Sequence, residues 1–243
     1  PVASGRYVSQ AFRRLGHDVR TLGTSTGNMI WGMAVDPKYA WQSDGELTKT
    51  WDNWTPDLII HMDSAFSYHH PVYQDVPHVI YGVDNHVRDY RQAGITHYFL
   101  AHKNVSLQPF DDNTEWLPCA ADTQMFTPSP IPYRERKYDV CMIGIMYPRR
   151  ERLIGLLKAA GLSVLCGTGW LFEEYKQAYH NSRISLCVSA AGDVSQRIFE
   201  TGSMECGVLT DILQDLADFD TNSALELSGF AIYDSDALCV QIA

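Results

Sequence analysis

The sequence predicts an α/β protein built from two Rossmann-like, doubly wound domains. Short apolar runs typical of buried strands alternate with helix-compatible segments along most of the 243 residues. Strands that alternate with helices form parallel sheets covered on both faces. The alternation occurs twice, before and after a proline-rich stretch at residues 127–137, TPSPIPYRERK, which is the best linker candidate in the chain. We therefore place an N-terminal domain at residues 1–127 and a C-terminal domain at 128–243.

The N-terminal domain is expected to open with a helix at residues 4–15, closed by Gly16. The Trp- and Gly-rich stretch at residues 24–55 has no clear period and reads as an irregular excursion. Strands are predicted at residues 18–23, 57–62, 78–83 and 97–102, with a helix-compatible pattern at 87–93.

The C-terminal domain shows the clearer alternation. Strands are predicted at residues 138–144, 163–167, 183–189, 208–211 and 229–234, and helices at 148–161, 171–180 and 196–205. Proline at the start and glycine at the end mark the bounds of the helix at 148–161. The chain begins where a helix starts, without a preceding strand, and ends within a helix-like stretch, DALCVQIA. Since a doubly wound domain normally opens with a strand, we expect a fold shortened at both ends.

The charge distribution restricts the class of partner. The net charge is −10, and no Lys, Arg or His follows Arg197, whereas nine acidic residues do. That end of the chain repels a polyanion, and no long basic stripe occurs elsewhere, so a nucleic-acid partner is not expected. The basic residues gather between positions 134 and 152, where a small, doubly charged anion is the better fit.

The composition also predicts a location. No apolar run approaches the roughly 20 residues of a membrane-spanning helix, and the start, PVASGRYVSQAFRR, lacks the apolar core of a secretory signal. The six cysteines contain no CxxC pair and are expected to be reduced thiols. We therefore expect a cytoplasmic protein with no transmembrane segment.

The strongest local signal is the segment at residues 192–211, GDVSQRIFETGSMECGVLTD, which reads as a loop, a helix and a strand. A helix that begins near Ser195 directs its N-terminal amides, with their partial positive charge, toward the edge of the sheet where ligands bind. From that helix Glu200 is within reach of a sugar hydroxyl. The alternative is that Glu200 is an exposed helix charge, with Arg197 as its neighbour three residues before.

A second signal is MIGIMYPRRER at residues 142–152. Gly144 ends a buried strand, and Arg149 and Arg150 open the next helix at the strand's carboxyl end, where open α/β sheets bind ligands. Guanidinium groups pair bidentately with a diphosphate and stay charged. The alternative is a solvated helix start, but acidic residues are favoured there and arginines are not.

A third signal follows the predicted strand at 78–83, where Asp84, Asn85 and His86 stand in sequence. A carboxylate beside an imidazole can orient hydroxyl groups or transfer a proton near neutral pH, so Asp84 and His86 are catalytic candidates. The alternative is that Asp84 or Asn85 caps a following helix and His86 is a surface residue.

Metal ligation is not predicted. The candidate metal ligands that lie near one another in the sequence are His61, Asp63, His69 and His70. Their spacing matches no metal-site pattern. No glycine-rich nucleotide loop of the Walker or Rossmann type occurs either. We therefore expect neither a metal nor another cofactor.

Several of these segments together resemble the spore-maturation (CgeB-like) glycosyltransferases, relatives of the large retaining group with the GT-B fold. The segments that carry the resemblance are Asp84-Asn85-His86, AHKNV (101–105), WLPCAADTQMFTP (116–128), YDVCMIGIMYPRRERLIGLL (138–157) and RIFETGSMECGVLTD (197–211). Their order covers most of the chain from about residue 57 onward.

The resemblance implies two Rossmann-like domains with an active cleft between them. The C-terminal domain would bind a nucleotide-sugar (UDP-, GDP- or ADP-linked), and the N-terminal domain would present a sugar, glycan or protein acceptor. The residue matching Glu200 commonly contacts the donor ribose. Arg149 or Arg150, with Arg197, would stabilise the departing diphosphate without a metal, and transfer would be retaining. Gly144 and Asp193 belong to the implied donor site.

The chain departs from the family pattern at three places. The acid expected eight residues before Glu200 is replaced by Gly192, with Asp193 beside it, and the small residue expected five after it is Glu205. The first strand with its glycine loop is also absent, as is the final crossing helix. Two alternatives stay open: a nucleotide-sugar epimerase on the same fold, and a nucleotide-sugar-binding protein without catalysis.

Overall fold

The computed structural model describes residues 4–24, 40–41, 50–63, 71–218 and 230–243. It divides into two compact units, Pro1–Pro118 and Cys119–Ala243. The sequence pattern instead places the boundary after residue 127. The proline-rich stretch belongs with the second unit because it is bonded to that unit's sheet and helices. His180 contacts the Thr127 carbonyl at 2.9 Å, and Arg136 donates to the Ser182 carbonyl at 3.2 Å.

The described residues of the first unit include helix α1, Ser4–Arg14, and two parallel sheets. Strands β1, Gly23–Thr24, and β2, Ala40–Trp41, form a two-stranded sheet. The second sheet runs in the order β3-β4-β5-β6. Its strands are β3, Ile59–Met62, β4, His78–Gly82, β5, His97–Leu100, and β6, Thr114–Trp116. A 3₁₀ turn, Pro71–Tyr73, precedes β4.

Strands β2 and β6 of the first unit were not predicted from the sequence, and the unit differs from the prediction in two further places. The strand expected at residues 18–23 is reduced to Gly23–Thr24, and no helix forms at 87–93 within the described stretch 71–218. Tertiary hydrogen bonds explain the second difference. The Tyr90 amide donates to the Gln108 side chain at 3.2 Å, and the Tyr90 hydroxyl donates to Asp63. Those bonds replace the local ones that a helix would make.

The second unit contains a five-stranded parallel sheet in the order β8-β7-β9-β10-β11. Its strands are β7, Tyr138–Ile143, β8, Val164–Gly167, β9, Ser182–Cys187, β10, Gly207–Asp211, and β11, Phe230–Tyr233. Its helices are α2, Pro148–Ala159, α3, Phe172–His180, α4, Gln196–Ser203, and α5, Asp236–Ile242. Two 3₁₀ turns, Tyr133–Glu135 and Gln214–Asp218, also occur among its described residues.

Helices cover both faces of this sheet. Helices α2 and α5 pack on one face, where Leu153 and Cys239 join a core with Val140 and Leu186. Helix α4 packs on the other face, where Ile198 contacts Cys187 and its neighbours, and α3 packs against β7 and β9. The sheet is therefore doubly wound. The strand order reverses between β7 and β9, and in such sheets the crevice beyond the carboxyl ends of the two reversing strands is the usual ligand site.

The predicted α/β class is confirmed, with parallel sheets in both units. The doubly wound order is found in the second unit, whereas the described strands of the first unit run in simple sequential order. Among the described residues, none of the helices combines the length and the apolar character needed to traverse a bilayer.

Candidate anion-binding site

The crevice at the carboxyl ends of β7 and β9 brings together two arginines and a glycine. Gly144 follows β7 directly and has a positive φ of 151°. A Cβ placed on Gly144 would lie 2.5 Å from Nη2 of Arg197 and 3.8 Å from Nη1 of Arg150. Both guanidinium groups therefore converge on this backbone position. The absence of a side chain at Gly144 is what lets Arg197 approach it.

Arg197 has buried nitrogens that lack a partner. It is the second residue of α4, and the Ser195 hydroxyl caps that helix by accepting from the Arg197 amide at 3.4 Å. Among the residues that the structure describes, Nε and Nη1 of Arg197 are buried and have no hydrogen-bond partner. A buried donor without a partner costs roughly 1–3 kcal/mol. An acceptor bound beside these two nitrogens would remove that cost.

Arg150 lies between the ends of the two strands. Its Nε and Nη2 donate to the Val188 carbonyl after β9 at 3.1 and 2.5 Å, and its Nη1 donates to the Ile145 carbonyl after β7 at 2.7 Å. Burial, and then the positive charge of Arg197, lower the pKa of Arg150. Two cations are thus close enough to repel each other, and an anion between them would relieve the repulsion.

Glu200 faces the interior from the next turn of α4. Its side chain is buried, and its Oε2 accepts a hydrogen bond from the Tyr175 hydroxyl at 2.8 Å. The alternative interpretation of Glu200 as a solvent-exposed helix charge is therefore wrong. A carboxylate on the same helix as Arg197, one turn away, gives the site a hydrogen-bond acceptor beside its cations.

Arg149 is directed elsewhere. Its Nη1 forms an ion pair with Oδ2 of Asp211 at 2.6 Å, and the Ser189 hydroxyl donates to the same oxygen at 2.8 Å. The neighbouring residues Arg149 and Arg150 thus have different partners, and only Arg150 contacts the backbone beside Gly144.

Asp193 organises the loop before α4. Its Oδ1 accepts from the amides of Ala190 and Ala191, each at 3.0 Å. Its charge also favours the protonated form of Arg150. Asp193 therefore belongs to the same end of the sheet as the arginines.

Asp84 and His86 lie in the first unit, at the carboxyl end of β4. Burial, and then the nearby carboxylate of Asp63, raise the pKa of Asp84, while the charges of His86 and Arg88 oppose that rise. The His86 ring makes an edge-to-face contact with His102, with centroids 4.9 Å apart. Asp84 and His86 therefore share one polar cluster, as their adjacency in sequence suggested.

Asn85 has a structural role between them. It is fully buried, its Nδ2 donates to the His102 carbonyl at 2.6 Å, and its Oδ1 accepts from the His102 amide at 3.0 Å. Asn85 therefore connects the segment after β4 to the segment after β5 through two hydrogen bonds, and it does not cap a helix.

The sequence signals missed two tyrosines of α3. Tyr175 bonds to Glu200, and the Tyr179 hydroxyl accepts from the Ile143 amide at 3.1 Å, directly before Gly144. Their spacing of four residues places both on one face of α3. That spacing is a signal that could have been read, although it equally fits ordinary core packing.

No group of three or more metal-ligating side chains occurs in the part of the chain that the structure describes. Of the residues weighed as ligands, His61 bonds through Nε2 to Nδ1 of His78 at 2.9 Å, and Asp63 accepts from the Val83 amide at 3.0 Å. His69 and His70 lie outside the described residues.

The second unit thus defines an α/β class of protein with a doubly wound parallel sheet and two arginine side chains close together at its switch point. Comparison with protein-family models and with curated proteins found no match to this chain.

Proposed function

We propose that this chain is a glycosyltransferase that binds its nucleotide-sugar donor through the second unit. The observation that carries the proposal is the pair of guanidinium groups, Arg150 and Arg197, that converge on Gly144 at the switch point of the sheet. Arginine suits a diphosphate because its charge is permanent and its donors match phosphate oxygens in pairs.

Arg197 and Arg150 have different roles in this proposal. Arg197 supplies donors that await an acceptor, since two of its nitrogens are buried and unpartnered within the described ranges. Arg150 is fixed by the Ile145 and Val188 carbonyls and contributes positive charge at a set position. As the bond between the sugar and the diphosphate breaks, negative charge grows on the leaving oxygen. Fixed positive charge stabilises that state without reorganisation.

Glu200 would accept hydrogen bonds from the donor's ribose. Its burial and its place one turn after Arg197 support this role, because the ribose of a nucleoside diphosphate lies next to the pyrophosphate. Asp193 would hold the loop that faces the donor. Asp84 and His86 remain the candidates for the acceptor side, where a carboxylate and an imidazole can orient a hydroxyl group.

Ligand binding to the full chain tests the donor site. We expect UDP, GDP or ADP to raise the melting temperature, as a ligand that binds only the folded state must. Arg197→Met should abolish that rise. Arg152→Met is the matched control, because Arg152 lies on α2 with Arg150 but pairs with Asp236. No stabilisation of the wild type by any of the three would overturn the proposal.

Turnover tests the reaction. Incubation with UDP-, GDP- and ADP-glucose and a mixture of sugar acceptors should release nucleoside diphosphate and form a glycoside. An epimerised nucleotide-sugar would instead identify an epimerase. Tight binding with no product from any donor would identify a binding protein without catalysis.

A further inference from the structure

We propose that Tyr175 is a positioning residue that orients the Glu200 carboxylate and thereby sets the preference of the site for a ribose that carries its hydroxyl groups. This inference rests on the proposed function. Tyr175 does not itself contact the donor in this scheme. It acts through the 2.8 Å hydrogen bond from its hydroxyl to Oε2 of Glu200.

In its bond with the Glu200 carboxylate, the Tyr175 hydroxyl is the donor. Burial, and then the charge of Glu200, hold the pKa of Tyr175 well above its usual value. The phenol therefore keeps its proton at any working pH, and its hydrogen bond to a carboxylate is of the stronger, charge-assisted kind. Such a bond fixes the plane of the carboxylate and so the direction from which a hydroxyl can approach.

The Tyr175 ring is itself held on two sides. It packs on Tyr179, with centroids 4.7 Å apart, and makes an edge contact with Phe126 at 5.8 Å. Tyr179 is anchored in turn to the Ile143 amide at the end of β7. Two tyrosines on α3 thus connect the Glu200 carboxylate to the end of β7, which is directly followed by Gly144.

This connection has a specific chemical consequence. Glu200 and the arginines contact different parts of a nucleoside diphosphate, the first a sugar hydroxyl and the second the phosphates. Loss of the Tyr175 hydroxyl should therefore weaken recognition of the ribose and leave recognition of the phosphates unchanged. A general loss of folding would weaken both.

The test measures binding of three probes to the full chain by calorimetry. The probes are whichever of UDP, GDP and ADP binds the wild type most tightly, its 2′,3′-dideoxy analogue, and inorganic pyrophosphate. The variants are Tyr175→Phe, Glu200→Gln and the double variant. Tyr133→Phe is the matched control, because Tyr133 is half-exposed and belongs to the 3₁₀ turn before β7.

We expect Tyr175→Phe to weaken the ribonucleotide about 10-fold, the factor that loss of one charge-assisted hydrogen bond gives, and to leave the dideoxy analogue and pyrophosphate unchanged. Because Tyr175 acts through Glu200, the double variant should bind no more weakly than Glu200→Gln alone. Tyr133→Phe should change none of the three affinities.

Two results would overturn the inference while the proposed function stands: equal weakening of all three probes by Tyr175→Phe, or no weakening of any. A wild type that binds none of the probes would overturn both.

Discussion

The Arg197 guanidinium occupies the space that a side chain at Gly144 would need, since a Cβ there would lie 2.5 Å from Nη2. Gly144 follows β7, whereas Arg197 belongs to α4, the helix between β9 and β10. Their proximity is what makes the end of β7 a cationic surface. It also makes the glycine a sensitive probe of the site.

Gly144→Ala should be destabilising and should abolish anion binding. Its positive φ of 151° strains an alanine by about 2 kcal/mol, and the added methyl group displaces Arg197. Gly155→Ala is the control, because Gly155 lies within α2 with no atom within 4 Å of its added Cβ. Gly155→Ala should stabilise the folded protein by about 0.5–1 kcal/mol. Denaturant titration and pyrophosphate binding check both, and unchanged affinity in Gly144→Ala would contradict the assignment.

Arg197→Met should raise the stability of the ligand-free protein while removing its affinity for pyrophosphate. The side chain holds two buried nitrogens that lack partners among the described residues, and relief of that penalty is worth about 1 kcal/mol or more. Thermal unfolding with and without pyrophosphate measures both effects. A clear fall in the melting temperature of the ligand-free variant would show that the charge is compensated.

Arg149→Met should do the opposite, lowering stability and sparing anion binding. Its partner Asp211 has a side chain only 8% exposed, so the variant leaves a buried carboxylate with the Ser189 hydroxyl and amide. We expect a loss of about 1–3 kcal/mol. Arg152→Met, which breaks the exposed pair with Asp236, should cost less than about 1 kcal/mol. Loss of pyrophosphate affinity in Arg149→Met would contradict this expectation and show that Arg149 belongs to the donor site.

Asp139 should contribute an acid-sensitive part of the stability. Hydrogen bonds from Ser163, and further the Arg183 guanidinium, lower the pKa of Asp139 below its ordinary 3.8. A lowered native pKa gives stability that is present above the unfolded pKa and is lost as the pH falls below about 4. Asp139→Asn should therefore be less stable at neutral pH and should lose less stability on acidification.

Denaturant midpoints from pH 7 to pH 2.5 measure this difference. Asp234→Asn is the control, because Asp234 is exposed, and its profile should follow the wild type. Parallel profiles for Asp139→Asn and the wild type would contradict the role of Asp139.

The second unit was predictable from the sequence because its local patterns and its fold agree. Each of its strands overlaps a predicted one, although β9, Ser182–Cys187, contains two serines and an arginine. Helix α2 has proline at its first position. The strand order, with β7 between β8 and β9, is not written in any local pattern. The strand order depends instead on which face of the sheet each connecting helix covers.

The first unit was less predictable, because distant side chains decide its local structure. The segment around Tyr90 carries a helix-compatible pattern, but Asp63 and Gln108 capture its hydroxyl and amide. Neither contact can be predicted from the residues near position 90, because both partners are distant in the sequence.

The site was only partly predictable for a related reason. The pattern marked both Arg149 and Arg150, but successive helix residues point about 100° apart, so the two reach different partners. Which of them faces the crevice depends on the rotation of α2 against the sheet. The four-residue spacing of Tyr175 and Tyr179 was a weak signal, because tyrosines at helical spacing fit ordinary core packing equally well.

The two arginines, Gly144 and Glu200 all belong to one uninterrupted stretch of chain, from Gly144 through Glu200. Their contacts nevertheless join distant positions, since Arg150 bonds to the Val188 carbonyl 38 residues away. Loops of that length cost more entropy to close than local turns do and raise the contact order. The arginine site therefore forms only when β7 and β9 pair at the centre of the sheet, whereas β10 and β11 lie outside that pair.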